Sequence, residues 1–325
     1  MTSPTPRLPV ISLRNLPVNL FAAVMSISGL ALAWRCSAHQ FHTPIWISHG
    51  IGLVAVVVFF LLSIAYLAKI LKHPEVVKNE FNHPIAGNFF GTFNIAVLLL
   101  SAVISPYGIA ASKVVWTLGS IGTVALGFTI VSRLFRGKID AGHAVPAWLI
   151  PGVATLDITV AGGTMPMAWA RELNLFALAV GTIVALVFFT MIVSRLIHHH
   201  EGLATGMVPS LMILIAPFEV GFQAYTNFTR KVDDFAAMLF YSGLFLFLIL
   251  VFKVFRRSIP FAAGWWAVGF PLAALANSAL KYAAAVQLWP LDGLAIALLA
   301  FLSLVIVVLF IRTLHIILNG SLLRA

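Results

Sequence analysis

Residues 293–311 read GLAIALLAFLSLVIVVLFI, a stretch of nineteen residues without one charged side chain. A helix of this length is about 28 Å long at 1.5 Å per residue, close to the ~30 Å thickness of the hydrocarbon layer of a bilayer. Similar apolar stretches recur from residue 15 to the C-terminus. The stretch therefore predicts a transmembrane helix, and its recurrence predicts an integral membrane protein.

The composition of the whole chain supports this prediction. Hydrophobic residues make up 61% of the 325 residues and charged residues only 9%, whereas a soluble domain is about 25% charged. Mean hydropathy is +1.03. These values exclude a soluble enzyme, a disordered chain and a disulfide-rich secreted module. Cys36 is the single cysteine, so an internal disulfide and a cysteine-based metal site are excluded as well.

Apolar stretches between polar, proline or glycine breaks divide the chain into ten predicted spans. Lipid offers the backbone no hydrogen bonds, so the spans are predicted as helices, and the ~10-residue alternating strands of a barrel are absent from the sequence. The predicted fold is an all-α integral membrane protein with one domain, residues 1–325. The spans are 16–34, 45–68, 85–105, 112–132, 146–164, 173–195, 207–226, 235–253, 261–284 and 293–314.

The basic residues predict the orientation of these spans. Fourteen Lys and Arg residues lie in the two tails and the even-numbered loops, and six lie on the other side. The positive-inside rule therefore predicts a cytoplasmic N-terminal tail, residues 1–15, and a cytoplasmic C-terminal tail, residues 315–325. We expect a multi-pass protein of the cell membrane, in a bacterium the inner membrane. Because the net charge of +10 comes from loops between spans, it predicts no nucleic-acid partner.

Prolines distinguish the odd-numbered spans from the even-numbered ones. Pro151, Pro217 and Pro271 lie inside spans five, seven and nine, and a proline inside a helix removes one backbone hydrogen bond and kinks the helix. Such breaks normally face protein or a water-filled cavity. One such proline is equally well explained by packing, but three in alternate spans favour a separate inner set of helices.

Few ionisable residues lie inside the predicted spans. Counted from the cytoplasmic ends, Asp157 and Glu219 lie about 17–18 Å deep, near the midplane, and Phe270 lies at a similar depth. Lys281 lies about 30 Å deep, at the outer mouth. Because a carboxylate facing lipid is costly, both acids should face the interior of the bundle. Two interpretations stay open: a structural acid bonded to a neighbouring helix, or a pore or proton site.

The histidines argue against a cofactor. All ten lie in loops or near span ends, which disfavours a bis-histidine haem and a membrane di-iron site. The run His198–His199–His200–Glu201 would suit a metal ion, but a solvated cytoplasmic loop is the favoured interpretation. No histidine lies at the depth that an intramembrane catalytic site would need. We therefore predict no enzyme, no metal and no cofactor.

Short motifs along nearly the whole chain resemble one family in order and spacing. The motifs are NLF at 19–21, GLALAW at 29–34, HP at 83–84, NFF at 88–90, PGVA at 151–154, APF at 216–218, WWAVGFP at 265–271 and ANS at 276–278. They resemble the tellurite-resistance/dicarboxylate transporter family, whose relatives include the slow anion channels of plant guard cells. The segment 265–271 is the most specific of these motifs.

The resemblance implies a homotrimer in which each subunit has five antiparallel hairpins around its own pore, with the odd helices inside. It implies that Phe270 blocks this pore. Other pore-lining or kink positions that we expect are Phe21, Phe89, Pro151, Asp157, Pro217, Glu219, Pro271, Asn277 and Ser278.

The sequence also departs from the family pattern. Val24 and the Phe93–Asn94 region stand where many members have a central proline in spans one and three. Asp157 and Glu219 stand where the relatives have uncharged residues, and a negative charge at midplane would oppose the passage of an anion.

Two transport mechanisms follow from these features. In the first, small anions such as nitrate, chloride, sulfite or small carboxylates pass through the pore, and Phe270 acts as a hydrophobic plug. In the second, Asp157 or Glu219 takes up a proton that accompanies a C4-dicarboxylate or monocarboxylate, or an oxyanion such as sulfite or tellurite is exported. Current without a proton gradient favours the channel, whereas transport that follows pH favours the carrier.

Overall fold

The computed structural model of the protein describes residues 12–137 and 140–323. Within these two ranges the secondary structure consists of helices and turns, with no β-strand. The predicted all-α fold is confirmed for this part of the chain. Most of the predicted N-terminal tail and the last two residues of the C-terminal tail lie outside it, as does Lys138.

Eleven α-helices lie in the described ranges, and ten of them coincide with the predicted spans. The remaining one, α3, is a nine-residue polar helix in what the sequence suggested was a loop. The helices are α1 Phe21–Phe41, α2 Ile45–Lys72, α3 Pro74–Asn82, α4 Phe90–Ile104, α5 Ile109–Phe135, α6 Ile150–Gly162, α7 Ala170–His198, α8 Ala216–Thr229, α9 Asp234–Val254, α10 Gly269–Val286 and α11 Trp289–Leu318.

Every odd-numbered span begins as a 3-10 helix and changes to an α-helix inside the span. The 3-10 segments lead directly into α1, α4, α6, α8 and α10, which we call the inner helices. These segments are Val18–Leu20, Ala86–Phe89, Pro146–Leu149, Thr205–Ile215 and Ala263–Val268.

The three prolines lie at these transitions. Pro151 and Pro217 are the second residues of α6 and α8, and Pro271 is the third residue of α10. Proline is tolerated there because the first N–H groups of an α-helix have no acceptor within the helix. Since α1 and α4 begin in the same way without a proline, proline is not required for the transition.

Burial separates the inner helices from the even-numbered spans. In three of the odd spans 61–78% of the most apolar window is buried, against 17–39% in the five even spans. Nearly all residues of α6 and α10 are buried too. A helix that is covered on every side lies inside a bundle, whereas the even spans leave large apolar side chains exposed, as lipid-facing helices do.

The inner helices pack against one another in a closed ring. Along the chain α1 contacts α4, α4 contacts α6, α6 contacts α8 and α8 contacts α10, and α10 returns to α1. Each inner helix also packs against the long helix that follows it, as α1 does with α2 and α10 with α11.

By length and hydropathy, eight helices of the described ranges are able to cross a membrane. The fifth predicted span forms the shorter apolar helix Pro146–Gly162 and is not among the eight. The ninth predicted span, residues 261–284, forms the helical segment 263–286. This segment carries Asn277, Ser278 and Lys281, and it is not among the eight either. A multi-pass membrane protein is therefore confirmed, and the exact count of ten spans stays a prediction.

Candidate functional site

A narrow cavity lies where the five 3-10 segments change to α-helix. All five inner helices, or the segments that lead into them, contribute to its wall, for example with Ala22, Phe89, Val153, Ala216 and Phe270. Its volume of about 30 Å³ leaves room for only one or two water molecules. The centre of the ring is thus almost closed at this level.

Phe270 lines this cavity from α10. Its side chain is 7% exposed, and the neighbouring Pro271 lines the same cavity. Thr92 also lines it, but its hydroxyl group donates to the backbone oxygen of Phe89 over 2.6 Å. The wall therefore offers little to a hydrated ion, and an apolar constriction of this width resists wetting.

A second and larger cavity, which we call the vestibule, is lined by residues further along the same five helices. Its wall includes Cys36 of α1, Ala102 of α4, Val160 of α6, Asn227 of α8 and Lys281 of α10. Its volume is about 490 Å³, which is enough for a hydrated small anion. The two cavities lie one after the other inside a single ring of helices.

The polar groups of the vestibule are directed by backbone contacts. Lys281 Nζ donates to Asn227 Oδ1 over 2.5 Å, and Asn227 Nδ2 donates to the backbone oxygen of Val160 over 2.8 Å. Lys281 is half-buried, and no carboxylate of the described residues forms an ion pair with it. The vestibule therefore presents one positive charge without an acidic partner.

Two amides on the vestibule wall tie α10 to its neighbours. Asn277 Nδ2 donates to the backbone oxygens of Gly29, at 3.0 Å, and Ala273, at 2.8 Å. Gln223 Nε2 of α8 donates to the backbone oxygen of Ala274 over 3.1 Å. The Oδ1 atom of Asn277 also accepts a hydrogen bond from Cys36 Sγ over 3.9 Å. Together these bonds join α10 to α1 and α8 beside the vestibule wall.

Asp157 lies between the two cavities along α6. Val153 lines the narrow cavity and Val160 lines the vestibule. Asp157 follows Val153 by four residues and precedes Val160 by three, so the three residues share one face of the helix. Asp157 is 1% exposed, and its Oδ2 atom has no hydrogen-bond partner among the described residues.

Glu219 faces a different neighbour. Neither carboxylate oxygen has a hydrogen-bond partner among the described residues, and Glu219 is fully buried. A Cβ atom added to Gly243 of α9 would meet the carboxyl group of Glu219 first. Neither cavity includes Asp157 or Glu219 in its wall. Both acids are buried inside the bundle, and Glu219 is directed towards α9, whereas Asp157 lies on the face of α6 that carries Val153 and Val160.

Besides the two acids, four candidates from the sequence lie outside both cavities: Phe21, Pro151, Pro217 and Ser278. Phe21 packs edge to face against Phe59, Tyr66 and Phe93, with ring centroids 5.0–6.1 Å apart. The hydroxyl group of Ser278 donates to the backbone oxygen of Glu219 over 3.1 Å. Pro151 is buried at the start of α6.

Pro217 lines a separate groove between α7, α8 and α9. The remaining candidates line one of the two cavities. The narrow cavity is lined by Phe89, Phe270 and Pro271, and the vestibule is lined by Asn277 and Lys281.

Sequence reasoning missed four uncharged polar residues in the walls of the two cavities: Gln40, Thr92, Gln223 and Asn227. They carry no charge, and uncharged polar residues in or next to apolar spans are common. The useful signal was position: Gln223 and Asn227 are four residues apart and therefore share one face of α8.

Comparison with known proteins identifies the family to which this chain belongs. A family profile described as SLAC1, voltage-dependent anion channel, matches residues 15–314. This chain belongs to the SLAC1 family. Its relatives in that family include plant S-type anion channels and a tellurite-resistance protein, so the resemblance in the sequence motifs is confirmed.

The relatives come from plants, archaea and bacteria. The S-type anion channel SLAH3 of Arabidopsis thaliana is 26% identical over 306 residues, which are 91% of this chain and 48% of the relative. An uncharacterized transporter, MJ0762, of Methanocaldococcus jannaschii is 25% identical over 83% of this chain and 86% of its own length. The tellurite resistance protein TehA homolog of Haemophilus influenzae is 25% identical over 82% and 81%.

The chain therefore spans about half the length of the plant channel and most of the length of the two prokaryotic relatives. The relatives compared above are described as an S-type anion channel, an uncharacterized transporter and a tellurite resistance protein homolog.

Proposed function

We propose that this protein conducts small anions across a membrane through the ring of its inner helices, and that Phe270 gates the path. One observation carries the proposal: the same five helices line a narrow apolar cavity and a wider vestibule in succession. A path closed by one aromatic ring and open beyond it is what a gated pore requires.

The charges along this path fit an anion. Lys281 presents a cation to the vestibule without an acidic partner among the described residues. The residues that line the narrow cavity include no Lys, Arg or His, so an anion would pass the constriction without being held there by a fixed positive charge. Moderate attraction at the mouth and weak binding at the constriction together favour conduction. Chloride, nitrate, sulfite and small carboxylates are the proposed substrates.

The channel is tested by reconstitution in liposomes with a membrane potential and no proton gradient. We expect anion flux that follows the potential, because a channel needs no second solute. Flux that appears only with a proton gradient would contradict the channel and support a carrier. Empty liposomes and liposomes with heat-denatured protein control for leakage.

A proton-coupled carrier is the second candidate, and Asp157 favours it. A buried carboxyl group without a hydrogen-bond partner, between two cavities of one path, is suitably placed to take up a proton that accompanies an organic anion. The substrate would then be a C4-dicarboxylate or monocarboxylate. The test is uptake of labelled malate or lactate, with and without an inward proton gradient, by the wild type and by Asp157→Asn.

The proposal includes the assembly and orientation that the sequence predicts. We propose five antiparallel hairpins per subunit, a homotrimer with one pore in each subunit, and both termini in the cytoplasm of a bacterial cell. The packing of each inner helix against the following long helix supports the hairpins. Chemical crosslinking in membranes tests the trimer. Reporter fusions after Ala325 and in the loop that holds His200 test the orientation, and both should report cytoplasm.

A further inference from the structure

A groove that is not part of the path lies between α9 and α11 at the end where α9 stops. Its volume is about 540 Å³, the size of a site for a small molecule or for part of a lipid. Three arginines line it: Arg256 and Arg257, which follow α9, and Arg312 in the last turns of α11. All three are exposed.

These three charges have no acidic counterpart nearby. Neither ion pair of the described residues involves them. The sequence has no Asp or Glu between residues 235 and 291 and none after Asp292. Asp292 lies at the other end of α11, about 30 Å from Arg312 along the helix axis. Three neighbouring guanidinium groups repel one another unless an anion lies among them.

The wall of the groove indicates which kind of anion. Leu304, Val308 and Arg312 follow one another at four-residue intervals on α11 and therefore form one stripe. Leu304 is 62% exposed and Val308 is 42% exposed, and both line the groove. The stripe is apolar along the span and ends in a cation. A free inorganic anion would gain nothing from the apolar part, whereas an acyl chain would cover it.

Aromatic residues lie at the level where the apolar stripe ends and the arginines begin. The guanidinium group of Arg312 lies 5.7 Å from the centre of the Phe261 ring. Trp265 lines the groove, and its Nε1 donates to the backbone oxygen of Pro260 over 2.9 Å. Tryptophan concentrates where the hydrocarbon layer meets the headgroups, which is where the arginines would meet a phosphate.

We propose that this groove binds an anionic phospholipid, with the phosphate among Arg256, Arg257 and Arg312 and an acyl chain along Leu304 and Val308. The inference rests on the chain lying in a membrane and not on anion transport. It therefore stands or falls independently of the gate at Phe270.

The test is native mass spectrometry of the full-length protein in mild detergent with added phosphatidylglycerol or phosphatidylcholine. We expect phosphatidylglycerol to be retained in preference. The triple variant Arg256→Gln, Arg257→Gln and Arg312→Gln should bind it at least about tenfold more weakly, because each basic residue adds to the attraction for anionic lipid. A matched control neutralises three exposed cations outside the groove, Lys72→Gln, Lys78→Gln and Arg136→Gln, and should bind like the wild type.

A second variant distinguishes lipid from a soluble anion and does not depend on the arginines. Val308→Trp fills the apolar wall at an exposed position and keeps all three charges, so it should reduce retention of phosphatidylglycerol as well. Millimolar inorganic phosphate should not compete. Equal retention of both lipids by the wild type, or unchanged retention by both groove variants, would overturn the proposal. One further result would overturn the proposal: the triple variant no longer forms the oligomer but retains lipid as the wild type does. The groove would then bind a second copy of the chain.

Discussion

Lys281 Nζ and Asn227 Oδ1 lie 2.5 Å apart on the wall of the vestibule, and the amide of Asn227 is held in turn by the backbone of α6. The amide oxygen directs the ammonium group without neutralising it. A carboxylate in the same position would cancel the charge. This pair therefore preserves a positive potential where an anion would enter the ring of inner helices.

Replacing Lys281 by Met should lower anion flux at least about threefold at low ionic strength, because a cation at a cavity mouth raises the local anion concentration. The effect should shrink at high salt as the charge is screened. Flux into proteoliposomes at two salt concentrations measures both. Lys281→Arg should retain most of the flux, and Lys231→Gln, which removes an exposed charge from the loop before α9, is the control.

Asp157→Asn keeps the shape of the side chain and removes its charge. In a channel, the variant should raise anion flux severalfold at neutral pH and flatten its dependence on pH, since a negative charge between the cavities opposes anions. Wild-type flux should increase as pH falls, because protonation removes the same charge. In a carrier, the variant should abolish proton-coupled uptake.

Glu219→Gln is the matched control for this experiment. Its carboxyl group is directed towards Gly243 of α9, so flux per folded protein should stay as in the wild type. A wild-type flux that does not depend on pH, together with wild-type behaviour of Asp157→Asn, would remove Asp157 from both mechanisms.

The contact between α8 and α9 predicts a loss of stability on a small substitution. A methyl group at Gly243 would overlap with the buried carboxyl group of Glu219, and overpacking of this kind costs about 1–3 kcal/mol. Gly243→Ala should therefore lower the unfolding temperature in detergent. Gly293→Ala places a methyl group in open space and should have no such effect. Combining Gly243→Ala with Glu219→Ala should restore part of the loss; strictly additive losses would contradict the contact.

A buried ion pair joins α2 and α3 to the start of α1. Lys69 Nζ lies 2.5 Å from Glu80 Oε2 and donates to the backbone oxygen of Leu16 over 2.8 Å. Glu80 also accepts a hydrogen bond from the backbone N–H of Val18, at 2.9 Å, and one from the hydroxyl group of Tyr66, at 3.1 Å. One carboxylate thus fixes the 3-10 segment that leads into an inner helix.

Glu80→Ala leaves the ammonium group of Lys69 buried and without its carboxylate partner, which costs about 3–5 kcal/mol. Chemical denaturation in detergent should show this loss. The control is Glu172→Ala, which removes the partner of Arg171 in an exposed pair and should cost at most about 1 kcal/mol. Similar losses in the two variants would contradict the structural role of the buried pair.

The sequence predicted the inner and outer helices better than it predicted which way side chains face. Pro151, Pro217 and Pro271 identified three of the five inner helices, and the family resemblance implied the other two. The 3-10 starts of α1 and α4 were not predictable from proline, because small residues such as Ala22, Ala23 and Gly91 allow the close packing there without one.

The two buried acids show why the direction of side chains could not be predicted from the sequence. Depth along a span follows from counting residues, and it placed Asp157 and Glu219 at one level. Direction depends on the register, and one residue turns a helix by 100°. Asp157 shares a face with Val153 and Val160, whereas the carboxyl group of Glu219 is directed towards Gly243 of α9. Only the packing of α8 against its neighbours decides between these faces.

The central claim is that the ring of Phe270 closes the path. The most direct measurement is the anion conductance of Phe270→Ala in planar bilayers, compared with the wild type and with Phe240→Ala, which truncates a fully buried phenylalanine on an outer helix. Removing the constriction should let water and anions through, so we predict a conductance at least about tenfold above the wild type for Phe270→Ala and no gain for Phe240→Ala. Folded Phe270→Ala protein with wild-type conductance would contradict the account.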